Sequence, residues 1–187
     1  MRVFPEGRGR NRPKSDRIFV RAAPGNRSRG ILQAGPLRLR CALGRSGLSS
    51  RKREGDGATP IASMPLLSAY RPPRLAGPRP PILLPTRSTR GRDGWCDAPR
   101  HASYNRPVAL PFPASAETMR RPDRLYDLVV VLDWNVASRR RFRGSAIFLH
   151  VAREGLAPTE GCVALHPRDL LRLAPFLRPG ARMRVLP

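Results

Sequence analysis

A chain of 187 residues, 40% of them hydrophobic, is long enough for one domain with a buried core and too apolar for a disordered polyelectrolyte. Its formal net charge of +23 invites a nucleic-acid partner, but the cations are spread along the chain, are arginine everywhere except Lys14 and Lys52, and accompany only 6% aromatic residues. The stacking platform of a single-strand binder is therefore missing and no nucleic-acid partner is expected; an anionic polymer or cell-surface partner fits the charge equally well.

Residues 1 to 16 are basic and rich in glycine and proline, which predicts a disordered tail ahead of a domain over 17 to 187. Short apolar runs then alternate with turn residues. Ile18-Phe19-Val20, Gly30-Ile31-Leu32 and the alternating Leu37 to Leu43 read as strands, which points to a sheet-rich fold. From Pro72 to Pro113 the prolines, among them Pro73, Pro78, Pro80, Pro81 and Pro85, predict a long and largely irregular excursion over the surface. Leu128 to Leu132 is a continuous β-branched run, the pattern of a strand buried on both faces. Ser145 to Val151 follows, with Phe148 and His150 on one face and Ile147 and Leu149 on the other. Between these strands, Arg139, Arg140, Arg141 and Arg143 read as a solvated turn. Gly161 to Leu165 predicts a short strand with Cys162 at its start. One helix is expected after Leu165, with Pro167 at its first position, Asp169 against the dipole and Leu170, Leu171, Leu173 and Ala174 as its apolar face. Pro175 ends or kinks it, and Arg182 to Leu186 closes the chain as an alternating strand.

Three cysteines, Cys41, Cys96 and Cys162, exclude a fully paired disulfide framework and show no zinc spacing, so a free thiol is expected. No run of apolar residues is long enough to span a bilayer, and the N-terminus lacks the apolar core of a secretory signal. The chemistry-bearing candidates are Cys162 and His150. A cysteine acts as a nucleophile when a histidine takes its proton and backbone N–H groups hold the oxyanion. Gly161 lets the backbone approach a substrate carbonyl, Thr159 and Glu160 are polar groups at the mouth of an apolar strand, and His150 lies near the end of the preceding strand. If the two strands run side by side, His150 and Cys162 meet at one end of the sheet. The competing reading is a small buried core cysteine and a hydrogen-bonded strand-end histidine. His101, in a loop, and His166, before the helix, are weaker candidates.

Ile147-Phe148-Leu149-His150, followed by Pro158 to Leu165 with Thr159-Glu160-Gly161-Cys162 at its centre, resembles the active-site signature of the L,D-transpeptidase catalytic domain, the YkuD-type family. Gly55 to Pro60 is similar to that family's Thr-Pro segment, and Gly94 to Asp97, Tyr104 to Pro107 and Leu125 to Val131 resemble a compact branch of it. The resemblance implies a mainly β, single-domain β-sandwich or barrel with one C-terminal helix and a long Pro-rich loop. It also implies a cysteine acyltransferase that needs no metal or cofactor, acting on peptidoglycan stem peptides in the periplasm or cell envelope, with Cys162 as nucleophile, His150 as base, and Gly161, Thr159 and Glu160 supporting the oxyanion site; the absence of a visible export signal keeps a cytoplasmic location open. Transfer to water instead of an amine, which makes a carboxypeptidase or endopeptidase, shares the same residues; a basic binding module with a structural Cys162 is the alternative of a different class. Glu160 stands where the family commonly has histidine, and the twelve positions from His150 to Cys162 are fewer than usual.

Overall fold

The structure, a computed structural model, describes residues 17–75 and 82–187. The expected tail, and Pro78, Pro80 and Pro81, lie outside the described residues. Within them the chain forms strands β1 (Arg17–Ala23), β2 (Asn26–Ala34), β3 (Leu37–Ala42), β4 (Leu48–Ser49), β5 (Thr59–Pro60), β6 (Ser63–Arg71), β7 (Thr86–Ser88), β8 (Asp93–Cys96), β9 (Arg106–Ala109), β10 (Ala116–Thr118), β11 (Val129–Leu132), β12 (Phe148–Val151), β13 (Val163–Leu165) and β14 (Arg182–Val185). The helix α1 spans Pro167–Leu173.

Strand pairing runs β11-β12-β13-β3-β2-β1-β14-β6-β7, and β11 also pairs with β6, so eight strands close into a barrel with β7 attached at β6. The period-two patterns aim Ile18, Val20, Leu32, Leu39, Met183 and Val185 into one interior cluster. β11 is buried on both faces, as its valine run predicts. Val130 and Leu132 join the interior, while Val129 and Val131 face a second cluster outside the barrel with Phe148, Trp95 and Tyr126. Each such buried side chain contributes about 1.5–3 kcal/mol, which holds β11 in place.

The stretch from Pro72 to Pro113 is less irregular than its prolines suggest. It contributes β7, β8 and β9, and β8 sits between β9 and β10 in a small antiparallel sheet. Pro107 is tolerated because β9 pairs with β8 alone and is an edge strand. This sheet covers the outer face of β11 and β12, with the Trp95 ring edge-on to Phe148 at 5.2 Å.

The helix begins as expected with Pro167 at its first position, and His166 is its N-cap, the side chain accepting from the Arg168 N–H. Pro175 converts its continuation into a single 3₁₀ turn, Ala174–Phe176. Arg139, Arg140, Arg141 and Arg143 are exposed in the turn between β11 and β12. Among the described residues no helix is long and apolar enough to cross a membrane.

Candidate active site

β12 and β13 lie side by side and parallel, with Leu149 opposite Val163 and His150 opposite Ala164. Cys162, one residue before β13, therefore falls level with Phe148, whose N–H donates to Sγ at 3.4 Å. Cys162 and His150 point from neighbouring strands to the same outer face, two positions apart along the sheet. Both line one cavity of about 190 Å³, together with Thr159, Glu160, Glu117, Arg121, Tyr126, Lys52 and Glu54.

The backbone around the thiol is held tightly. Thr159 Oγ1 donates to the Cys162 carbonyl at 2.7 Å and accepts from the Gly161 N–H at 3.1 Å. Thr59, from the Thr-Pro segment, supports the same carbonyl from the far side at 3.5 Å while accepting from the Gly44 N–H. Gly161 has φ of 132°, and a Cβ there would meet the Ala58 carbonyl oxygen at 2.8 Å, so both conformation and space require glycine. Glu160 points the other way: its side chain is 76% exposed and pairs with Arg45. That contact makes it a wall of the cavity mouth.

The thiol donates to the Ala146 carbonyl at 3.2 Å. Ala146 has φ of 51°, a conformation alanine adopts only under constraint. The constraint is Asn105, buried at 1% exposure, whose Oδ1 accepts from the Ala146 N–H at 3.1 Å and from Trp95 Nε1 at 2.9 Å while Nδ2 donates to the Trp134 carbonyl. Asn105→Ala is expected to lower stability by about 2–3 kcal/mol, since buried donors lose their acceptor. It also frees the Ala146 carbonyl, which favours the protonated thiol, so Cys162 is expected to alkylate faster at pH 7. Urea denaturation and iodoacetamide kinetics with peptide mapping measure the two effects.

His150 is 6% exposed, its ring 5.4 Å from that of Tyr126. Its Nδ1 is 2.8 Å from the Val151 carbonyl. A carbonyl only accepts, so Nδ1 carries the proton and Nε2 is left as the acceptor of the neutral ring. Burial holds this imidazole down at about 4, with the cations of Arg121 and Arg153 acting in the same direction. Burial pushes the Cys162 thiol up to about 12, aided by the nearby Glu117 carboxylate. Glu117 is itself raised by burial, while its bond from Tyr126 Oη and the Arg121 guanidinium oppose that shift. These shifts favour a thiol beside a neutral imidazole at neutral pH, a base whose Nε2 lone pair can take a proton and an acid that gives one up only when something stabilises the anion.

Cys162, His150, Thr159 and Glu160 thus share one cavity, with Gly161 shaping its floor. His101 is remote from it, accepting from the Ser103 N–H and packing edge-on against Phe112. All three cysteines are free. Sequence reasoning assigned no role to Asn105, Glu117, Arg121 or Tyr126. Asn105 and Tyr126 lie within the motifs quoted for the resemblance, which was their only signal; Glu117 and Arg121 gave none. Among the described residues no group of three or more histidine, cysteine or carboxylate side chains is arranged to hold a metal ion.

The family model of the L,D-transpeptidase catalytic domain, YkuD, matches residues 18–185. Two solved structures are similar over most of the chain. The Mycobacterium tuberculosis L,D-transpeptidase 1 structure is 14% identical over 92% of this chain and 60% of its own, with a TM-score of 0.40. Bdellovibrio bacteriovorus Bd1075 is 13% identical over 90% of this chain and 47% of its own, with a TM-score of 0.42. The chain thus spans less than two thirds of the length of either. No curated protein matches the sequence. With the family model covering nearly all of the barrel, from β1 to the end of β14, the chain belongs to the L,D-transpeptidase catalytic domain family.

Proposed function

We propose that the protein is a cysteine-dependent acyltransferase that cross-links peptidoglycan stem peptides in the cell envelope, with Cys162 as nucleophile and His150 as general base. The observation that carries this reading is the state of His150: Nδ1 is committed to the Val151 carbonyl, which leaves Nε2 as proton acceptor on a ring that shares a cavity with the thiol. In the first step His150 Nε2 takes the thiol proton as Sγ attacks the carbonyl of the third residue of a tetrapeptide stem. The amide C–N bond breaks, His150 returns the proton to the departing D-alanine amine, and the acyl group stays on Cys162 as a thioester. An amine of a second stem then attacks the thioester, losing its proton through His150 to the sulfur. The Cys162 N–H is the proposed oxyanion donor, fixed by the Thr159 and Gly161 contacts. Arg153, exposed at the cavity mouth, is the proposed partner for the stem's terminal carboxylate.

Incubation with disaccharide-tetrapeptides and mass analysis of the products tests the reading. Dimers joined between two third-position residues are expected. Trimmed tripeptide alone would make the enzyme a hydrolase of the same class, and unchanged substrate would overturn the reading.

A further inference from the structure

Among the described residues every aspartate and glutamate side chain lies between Glu54 and Asp169, whereas residues 17 to 53 carry arginines and Lys52 with no acidic side chain at all. The fold gathers this imbalance in space. β14, β1, β2 and β3 are consecutive in the barrel, and none contains an aspartate or glutamate. Their inward positions are the apolar residues of the interior cluster, so the alternate positions form one outward face. The register puts Arg184 beside Phe19, Gln33 beside Arg38, and Arg21 and Arg40 on either side of Ile31, with Arg182 and Arg29 at the two margins. Arg21, Arg38, Arg40 and Arg182 are exposed, and the Arg184 guanidinium stacks over the Phe19 ring at 5.9 Å.

We propose that this face is a docking surface for an anionic phospholipid bilayer. Like charges gathered on neighbouring strands repel, with Glu154 and Asp169 near them only at the Arg29 and Arg40 margin, so an anionic surface that neutralises them is favoured. A broad convex sheet face with two half-buried apolar residues at its centre suits a membrane surface better than a single nucleic-acid strand. A strand would need a groove and stacking aromatics, and Phe19 is already covered by Arg184. The topology adds a consequence. In the closed circuit of eight strands β1 lies four strands from β12 in either direction, so docking through this face turns the Cys162 cavity away from the bilayer. The proposal does not depend on the chemistry assigned to Cys162.

The full chain is sedimented at physiological salt with vesicles of phosphatidylcholine alone or with one third phosphatidylglycerol. A variant carrying Arg21→Gln, Arg38→Gln, Arg40→Gln and Arg182→Gln is compared with one carrying Arg139→Gln, Arg140→Gln, Arg141→Gln and Arg143→Gln, which removes the same charge from the exposed turn. Binding only to anionic vesicles is expected, weakened about 100-fold or more in the first variant and less than about tenfold in the second. Should the first variant melt below the wild type, Arg38→Gln with Arg40→Gln alone is expected to weaken binding about tenfold. Equal losses in both quadruple variants, or no loss in either, would overturn the proposal. So would tighter, patch-dependent binding to a DNA duplex at the same salt, which would assign the face to nucleic acid.

Discussion

Cys162→Ala is expected to lower kcat/KM for stem-peptide transfer by at least about 10,000-fold while leaving the fold intact. The activity loss follows from chemistry: no other group in the cavity can form a thioester, and Lys52, the nearest alternative amine, is committed to Asp56 and the Arg53 carbonyl. The structural cost is small because truncation removes one sulfur atom, which gives up only the contacts to the Ala146 carbonyl and the Phe148 N–H. Stability is expected to fall by about 1 kcal/mol, within the range of a single small deletion. Turnover and urea midpoints, measured on the same preparation, separate the two effects. A large loss of stability with partial activity would mean that Cys162 is a core residue.

The second large effect belongs to His150. Replacement by glutamine keeps the size of the side chain and a donor for the Val151 carbonyl but removes the proton acceptor, and kcat is expected to drop by about 100- to 10,000-fold. The same variant also carries a pH signature. Burial lowers this imidazole from 6.5 in the unfolded chain to about 4 in the folded one. Above pH 6.5 the residue is neutral in both states and its contribution to stability is complete. Between those two values the unfolded chain binds a proton that the folded chain refuses, so stability declines with acid by about 3 kcal/mol in all. Urea midpoints from pH 7 to pH 4 should show this slope in the wild type and a shallower one in His150→Gln. Cys162 and Cys41, both pushed up to about 12, behave in the opposite sense: their contributions are complete below pH 9 and are lost as pH rises toward 12.

The parts of this molecule that sequence alone could reach are those whose signal is local. The valine run of β11, the alternation of β3 and the proline at the start of α1 each declare themselves within a few residues. From the residues alone Cys162 and His150 fitted a small core cysteine and a strand-end histidine as well as a reactive pair, and it was the resemblance of the surrounding motifs that singled them out. What was not legible depends on distant contacts. Barrel closure joins β11 to β6, some sixty residues earlier, and nothing in either strand specifies that partner. Glu117, in the three-residue strand β10, and Arg121, just after it, reach the cavity only because the small sheet folds over β11 and β12, and as isolated polar residues in the sequence they resemble any solvated side chain. Glu160 shows the reverse case. Adjacent in sequence to the Gly161-Cys162 pair, its side chain is largely exposed and pairs with Arg45 at the cavity mouth, a partner more than a hundred residues earlier. The positive charge, spread along the sequence, becomes a localised surface only after β14 is laid against β1.

The central claim is that Cys162 is a nucleophile served by His150. Its most direct test is intact-protein mass after incubation with a carbapenem, whose strained lactam carbonyl acylates a competent thiol, followed by digestion to locate the adduct among Cys41, Cys96 and Cys162. A single adduct on Cys162, absent in Cys162→Ala and formed far more slowly in His150→Gln, is the expected result. An adduct that persists in Cys162→Ala, or none on the wild-type protein, would contradict it.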